Sequence, residues 1–167
     1  EEDVNLYAQW NLLPPTVDPI APGDTCITGE AGAGNIIEIT DEEGNVIGTA
    51  VVNPDGTWQV CDLNPEDTGN IGVDQTTPDG ETSDKVKFYT VVYDANGAEN
   101  TPPNQYIAAG ELLANPGVPV KSYNEFLGWN TSDDATGTNW VFERMTMPEE
   151  DVYLYAQWNL LLPTVDP

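Results

Sequence analysis

Short runs of alternating apolar and polar residues recur along the chain, and most are closed by glycine, proline or asparagine. Asn35–Thr40 carries Ile36, Ile37 and Ile39. Val46–Val52 follows the turn Glu43-Gly44-Asn45, and Thr57–Cys61 follows Pro54-Asp55-Gly56. Alternation puts Trp58 and Val60 on one face of that last run and Gln59 and Cys61 on the other. Thr25–Thr28, Ile71–Thr76 and Lys85–Phe88 complete a first series, with a turn at Pro78-Asp79-Gly80. Proline fixes φ and glycine permits positive φ, so these tripeptides are turns with a mechanism. Tyr89–Tyr93, Phe126–Trp129 and Asp151–Trp158 form a second series. In the last of them Val152, Leu154, Ala156 and Trp158 share one face. Ile107–Ala114 reads as a short helix or a strand, and Gly110 weakens the helix. No long stretch carries helical periodicity. The chain is predicted to be mainly β, with a sandwich of short strands at its start.

The two ends repeat each other. Glu1–Pro19 and Glu149–Pro167 differ only at Asn5/Tyr153 and Pro14/Leu162, so 19 − 2 = 17 positions agree at an offset of 149 − 1 = 148. Self-similarity of this kind marks an array of modules. The expected divisions are 1–13, the terminal strand and junction of a preceding repeat; 14–88, the sandwich; 89–158, a second small domain; and 159–167, the junction to the next repeat. No Ser-rich linker lies near Lys87–Tyr89, so the two halves are expected to meet stiffly. Pro163 and Pro167 favour an extended outer junction.

Four Lys and Arg stand against 29 Asp and Glu, a formal charge of −25. That balance argues against a nucleic-acid partner, since phosphate binding relies on clustered cations. No apolar run is long enough to insert into a bilayer as a helix. Five Trp, seven Tyr and three Phe set within apolar alternations indicate a folded chain despite the charge. The chain has no His, which removes the usual acid–base residue and metal ligand. Cys26 and Cys61 form no CxxC pair, so zinc is not expected. A disulfide is preferred over two buried thiols, and it implies an oxidising, extracytoplasmic setting.

Tyr89–Ala98 (YTVVYDANGA), Phe126–Thr131 (FLGWNT), Gly137-Thr138 and Met147–Trp158 (MPEEDVYLYAQW) lie in the order of a known repeat. On these residues the second half resembles the Listeria–Bacteroides repeat of bacterial cell-surface proteins, related to the internalin B-repeat. The resemblance implies a small β-grasp-like fold. Ser122–Glu125 departs from it, where the family usually has a Gly-aromatic step before Phe. The first half looks like a bacterial Ig-like domain of adhesin stalks, through Pro15–Ile20, Thr25–Gly34, Asp41–Trp58 and Thr82–Phe88. Both cysteines depart from that domain's usual pattern. The expected fold is thus an Ig-like β-sandwich followed by a β-grasp-like domain, as one unit of a tandem array.

No catalytic residues are expected. Glu1-Glu2-Asp3 and Glu149-Glu150-Asp151 point to alternating faces and do not converge, whereas acid–base work needs a shared pocket. Asp18, Asp94, Asn96, Asp133, Asp134 and Asp166 are oxygen-bearing loop residues. They are the calcium candidates, set against the simpler reading of turn chemistry. No other cofactor is expected. Lys85 or Lys87 is the candidate for an isopeptide crosslink of the kind some surface Ig-like domains form, against the simpler reading of a solvated strand residue. Asn130-Thr131-Ser132 is a glycosylation sequon. The five tryptophans read as core more than as a carbohydrate platform, with Trp140 the least constrained. Val4, Leu6, Trp10, Leu12 and Pro15, with their counterparts Leu154, Trp158, Leu160 and Pro163, are the inter-module junction. The expected partners are neighbouring copies of the same module, head to tail, joined either in one chain or by a donated strand. The expected role is a structural stalk or filament module on the cell surface or an appendage, the alternative being a multivalent adhesin module for glycan or host protein.

Overall fold

The computed structural model describes residues 10–64 and 68–162. These residues form strands β1 (Thr16–Val17), β2 (Ile27–Glu30), β3 (Ile36–Thr40), β4 (Val46–Val51) and β5 (Thr57–Val60). The series continues with β6 (Gly72–Thr76), β7 (Val86–Asp94), β8 (Gln105–Ala108), β9 (Asn124–Asn130) and β10 (Val152–Leu160). No helix occurs among the described residues. The Ile107–Ala114 ambiguity resolves toward strand, but only β8 overlaps it and a turn follows at Ala109-Gly110. Thr25–Thr28 is displaced to Ile27–Glu30, and the short β1 carries no sequence signal of its own.

The N-terminal half is a two-sheet sandwich. One sheet runs β1-β2-β5; the other runs β4-β3-β6 and ends on β7. Between them lies a core that includes Ile27, Ile37, Ile39, Trp58, Val60 and Val73. The Pro54-Asp55-Gly56 turn works as its residues predict. Gly56 takes φ +89°, and Asp55 Oδ1 accepts from Thr57 N (3.1 Å) and Thr57 Oγ1 (2.7 Å). Those bonds, the side-chain hydroxyl first, hold the Asp55 carboxyl below its usual range.

The C-terminal half is one mixed sheet in the order β8-β7-β10-β9. Its two central strands, β7 and β10, run parallel, from Val91↔Val152 to Asp94↔Tyr155. Both flanking pairs are antiparallel. A β-grasp sheet has this arrangement; here the crossing connection holds β8, β9 and loops in place of a helix. One face covers a second core of Val91, Tyr93, Leu113, Trp129, Met147, Val152, Leu154 and Ala156. Tyr93 meets Trp129 edge-on at 5.0 Å, and burial raises the Tyr93 phenol above its usual range.

Two strands were expected across Lys85–Tyr93, and one unbroken strand is found. Successive side chains on a strand point to opposite faces. Phe88, with Val86 beside it, faces the sandwich core. Tyr89, Val91 and Tyr93 face the second core. A single strand therefore serves both cores, one on each face, and no linker intervenes.

Candidate functional site

The handover between the halves lies on one edge of β7. Val91 pairs with Gln105 of β8 on one side and Val152 of β10 on the other. Lys87 O and Phe88 N point to opposite edges, and they bond Ala109 N and Ile71 O respectively. β6 and β10 thus occupy successive stretches of the same edge. The Thr90 amide falls between their registers, and Asp151 fills the gap. Its Oδ1 accepts from Thr90 N at 2.9 Å, and its Oδ2 from Asn70 Nδ2 at 3.2 Å. Thr90 Oγ1 donates to Asn70 Oδ1 at 2.9 Å, closing the network across the joint. The acidic run Glu149–Asp151 is thereby given a structural use, through a residue whose role the sequence did not single out.

Cys26 and Cys61 form a disulfide. β2 and β5 are antiparallel, ending on the pair Ile27↔Val60. The next residue on each strand is a cysteine, and their Cα atoms stand 4.0 Å apart. The bond staples the open end of a two-strand pairing.

The repeated segment is held differently at its two occurrences. In the C-terminal copy, Leu154 and Ala156 are fully buried. Trp158 packs edge-on against Phe126 at 5.4 Å and donates from Nε1 to Ala95 O at 3.1 Å. The Lys121 ammonium sits 5.7 Å from the ring centre. Trp10, the same position one period earlier, is 85 % exposed. Downstream the contrast reverses. Leu13 O accepts from Gln75 Nε2 at 2.7 Å, Leu12 N donates to Glu81 Oε1 at 3.2 Å, and Pro15 is buried. Leu160 lies at the exposed end of β10. Val4, Leu6, Pro163 and Asp166 lie outside the described residues.

The calcium candidates are spent locally and are not gathered into one group. Asp18 accepts from Thr28 Oγ1, and Asp94 from Asn96 N at 2.8 Å. Asp134 Oδ1 accepts from Thr136 Oγ1 (2.6 Å), Ser132 Oγ (2.7 Å) and Thr136 N (3.0 Å). These bonds, the Thr136 hydroxyl first, pull the Asp134 carboxyl down to about 2. Asp133 beside it is exposed. Among the described residues no three Asp, Glu or Cys side chains converge on a metal-sized site.

Asn130 corrects the expectation that its sequon offers an acceptor. It is 1 % exposed; its Nδ2 donates to Asn139 Oδ1 at 2.8 Å and its Oδ1 accepts from Ser132 N at 2.9 Å. A glycan there would require β9 to open. Lys85 is engaged by Asp74 at 2.9 Å, as an ion pair within the sheet. Trp58 and Trp129 are buried, while Trp140 and Trp158 are half-buried against the second core. The tryptophans form no exposed platform.

Two adjoining family models cover most of this architecture. Residues 14–92 match the bacterial Ig domain, and residues 89–157 match the Listeria-Bacteroides repeat domain. Each half thus matches the model of a known module. The Ig match ends and the repeat match begins within β7, the strand both cores share. Among curated proteins, Internalin H of Listeria monocytogenes is 34 % identical over 79 residues. That alignment covers 47 % of this chain and 14 % of Internalin H, so the chain spans a small part of that relative's length. A solved structure titled biofilm associated protein, BSP domain, aligns over 91 % of this chain and 25 % of its own at 19 % identity. Its TM-score of 0.37 is too low for the likeness to support anything further.

Proposed function

We propose that the chain is a non-catalytic structural module of a long bacterial surface protein, repeated head to tail as a stalk or filament. The observation that carries this reading is β7, which runs without a break from the Ig core into the repeat core. Halves joined through one strand transmit force along hydrogen-bonded backbone, not through a flexible tether. The segment that recurs at an offset of 148 supplies a means of extension. Similarity to part of Internalin H and to Ig and repeat modules of bacteria supports placement at the cell surface. A net charge of −25 would keep neighbouring stalks apart. The open grooves beside the handover, of about 300 and 390 Å³, are lined by residues such as Thr40, Asp41, Asn70 and Tyr106. In the first, Lys85 donates to Thr40 Oγ1 at 3.2 Å while paired with Asp74 at 2.9 Å.

Electron microscopy of native multi-copy material tests the reading. Unbranched rods with an axial repeat of roughly 60–80 Å per period are expected. Globular particles without periodicity would overturn it.

A further inference from the structure

The duplicated segment appears here both leaving a module and entering one, so the two views can be merged at an offset of 148. Leaving, Asn159 and Leu160 pair with Glu125 and Asn124 of β9, and Leu161 N donates to Tyr123 O at 2.8 Å. Entering, Leu12 N is held by Glu81 and Leu13 O by Gln75. Leu12 corresponds to Leu160, and Leu13 to Leu161. The last residues held by one module are the first held by the next.

The two sets of bonds are compatible. Hydrogen-bonded and non-bonded pairs alternate along an antiparallel ladder. Because Leu161 N bonds Tyr123, Leu160↔Asn124 is a non-bonded pair and the Leu160 N–H faces away from β9. It is free for the Glu81 of a following copy. Gln75 is a prepared clamp: its side chain is buried, with Oε1 accepting from Asn35 Nδ2 (2.6 Å) and Gly32 N (3.1 Å). Its remaining Nε2 reaches the entering chain.

Tyr123 supplies the independent observation. It holds φ +60°, a left-handed conformation that is uncommon for a bulky residue, yet it is 82 % exposed. Strain of this sort is kept where it serves a contact. In an extended residue the N–H and C=O point the same way, so a Gln75 clamped to the Leu161 carbonyl would stand beside Tyr123. The exposed Leu161 and Leu162 flank the same corner.

We propose that residues 160–161 are gripped by two modules at once, and that the Ig half of a following copy of this chain docks directly on the Tyr123 corner of the repeat half. This rests on the head-to-tail reading. The spacer between periods then has no free residues, and the joint is a protein–protein interface.

The test compares the one-period chain with a chain of two successive periods sharing the duplicated segment. Residual dipolar couplings should give one alignment tensor for both periods. The Tyr123 at the joint should lose most of its reactivity toward tetranitromethane, while the terminal Tyr123 keeps it. Tyr123→Ser should leave the melting temperature of the one-period chain unchanged and split the alignment of the two-period chain. Two independent tensors with a fully reactive joint Tyr123 would overturn the grip. That result would leave the stalk reading to be judged by microscopy, where extended rods sustain it and globules end it.

Discussion

At the scale of single residues, side-chain oxygens here mostly close turns. Asp134 is the sharpest instance. Its carboxyl is lowered to about 2 by the Thr136 and Ser132 hydroxyls and the Thr136 amide. A group with a depressed folded value stabilises above its unfolded value of 3.8. That contribution is lost as pH falls from there through about 2. NMR titration should therefore find the Asp134 midpoint near the lower figure, and Thr136→Val should move it upward. A midpoint indifferent to that substitution would contradict the assignment. At Asp18 and Asp94, as at Asp134, one carboxylate oxygen is taken up by a nearby hydroxyl or amide. Melting temperatures in calcium and in chelator are expected to agree; a clear rise with calcium would show a site formed on binding. The Cys26–Cys61 bond is the strongest residue-level feature. Replacing both cysteines by serine should cost about 3–4 kcal/mol, the usual scale for a loop of this length, measured by urea denaturation of the oxidised chain and the variant.

At the scale of elements, β7 is the point on which the architecture depends. Asp151 caps the Thr90 amide on the edge between β6 and β10. Asp151→Ala leaves the Thr90 amide without that partner, and a loss of about 1–3 kcal/mol is expected. Because the strand serves both cores, unfolding followed through Trp58 in one core and Trp129 in the other should give coincident transitions before and after the substitution. Separated transitions would show that the shared strand does not couple the halves. The turn leading into β9 was foreshadowed by the Ser122–Glu125 departure from the repeat family. A tyrosine adopts the left-handed conformation there without the glycine that would make it easy. The continuity of Val86–Asp94 was not legible: Phe88-Tyr89 reads locally as a break between two patterns, because the buried face changes sides at that step.

At the scale of the whole molecule, the proposed stalk role calls for resistance to extension, and the disulfide limits how far the Ig half can unravel. Cys26 and Cys61 are 35 residues apart. At the extended span of a chain residue, reduction should lengthen the unfolded contour by roughly 120 Å. Single-molecule stretching with and without reductant would show this, and equal contour lengths would mean the bond is not formed in the pulled protein. The strands and turns were open to sequence reading because alternation and Pro-Asp-Gly chemistry act over a few residues. The duplicated ends and the two family resemblances were also legible, being plain matters of residue order. The sequence by itself determined an acidic, mainly β chain with a duplicated end segment, resemblances to two modules and two cysteines suited to pairing. Only the tertiary structure decided that both cores rest on opposite faces of one strand, that Asp151 seals their joint, and that Asn130 is buried. Those outcomes depend on which strand edges meet, and contacts between residues 61 and 81 positions apart leave no trace in local pattern.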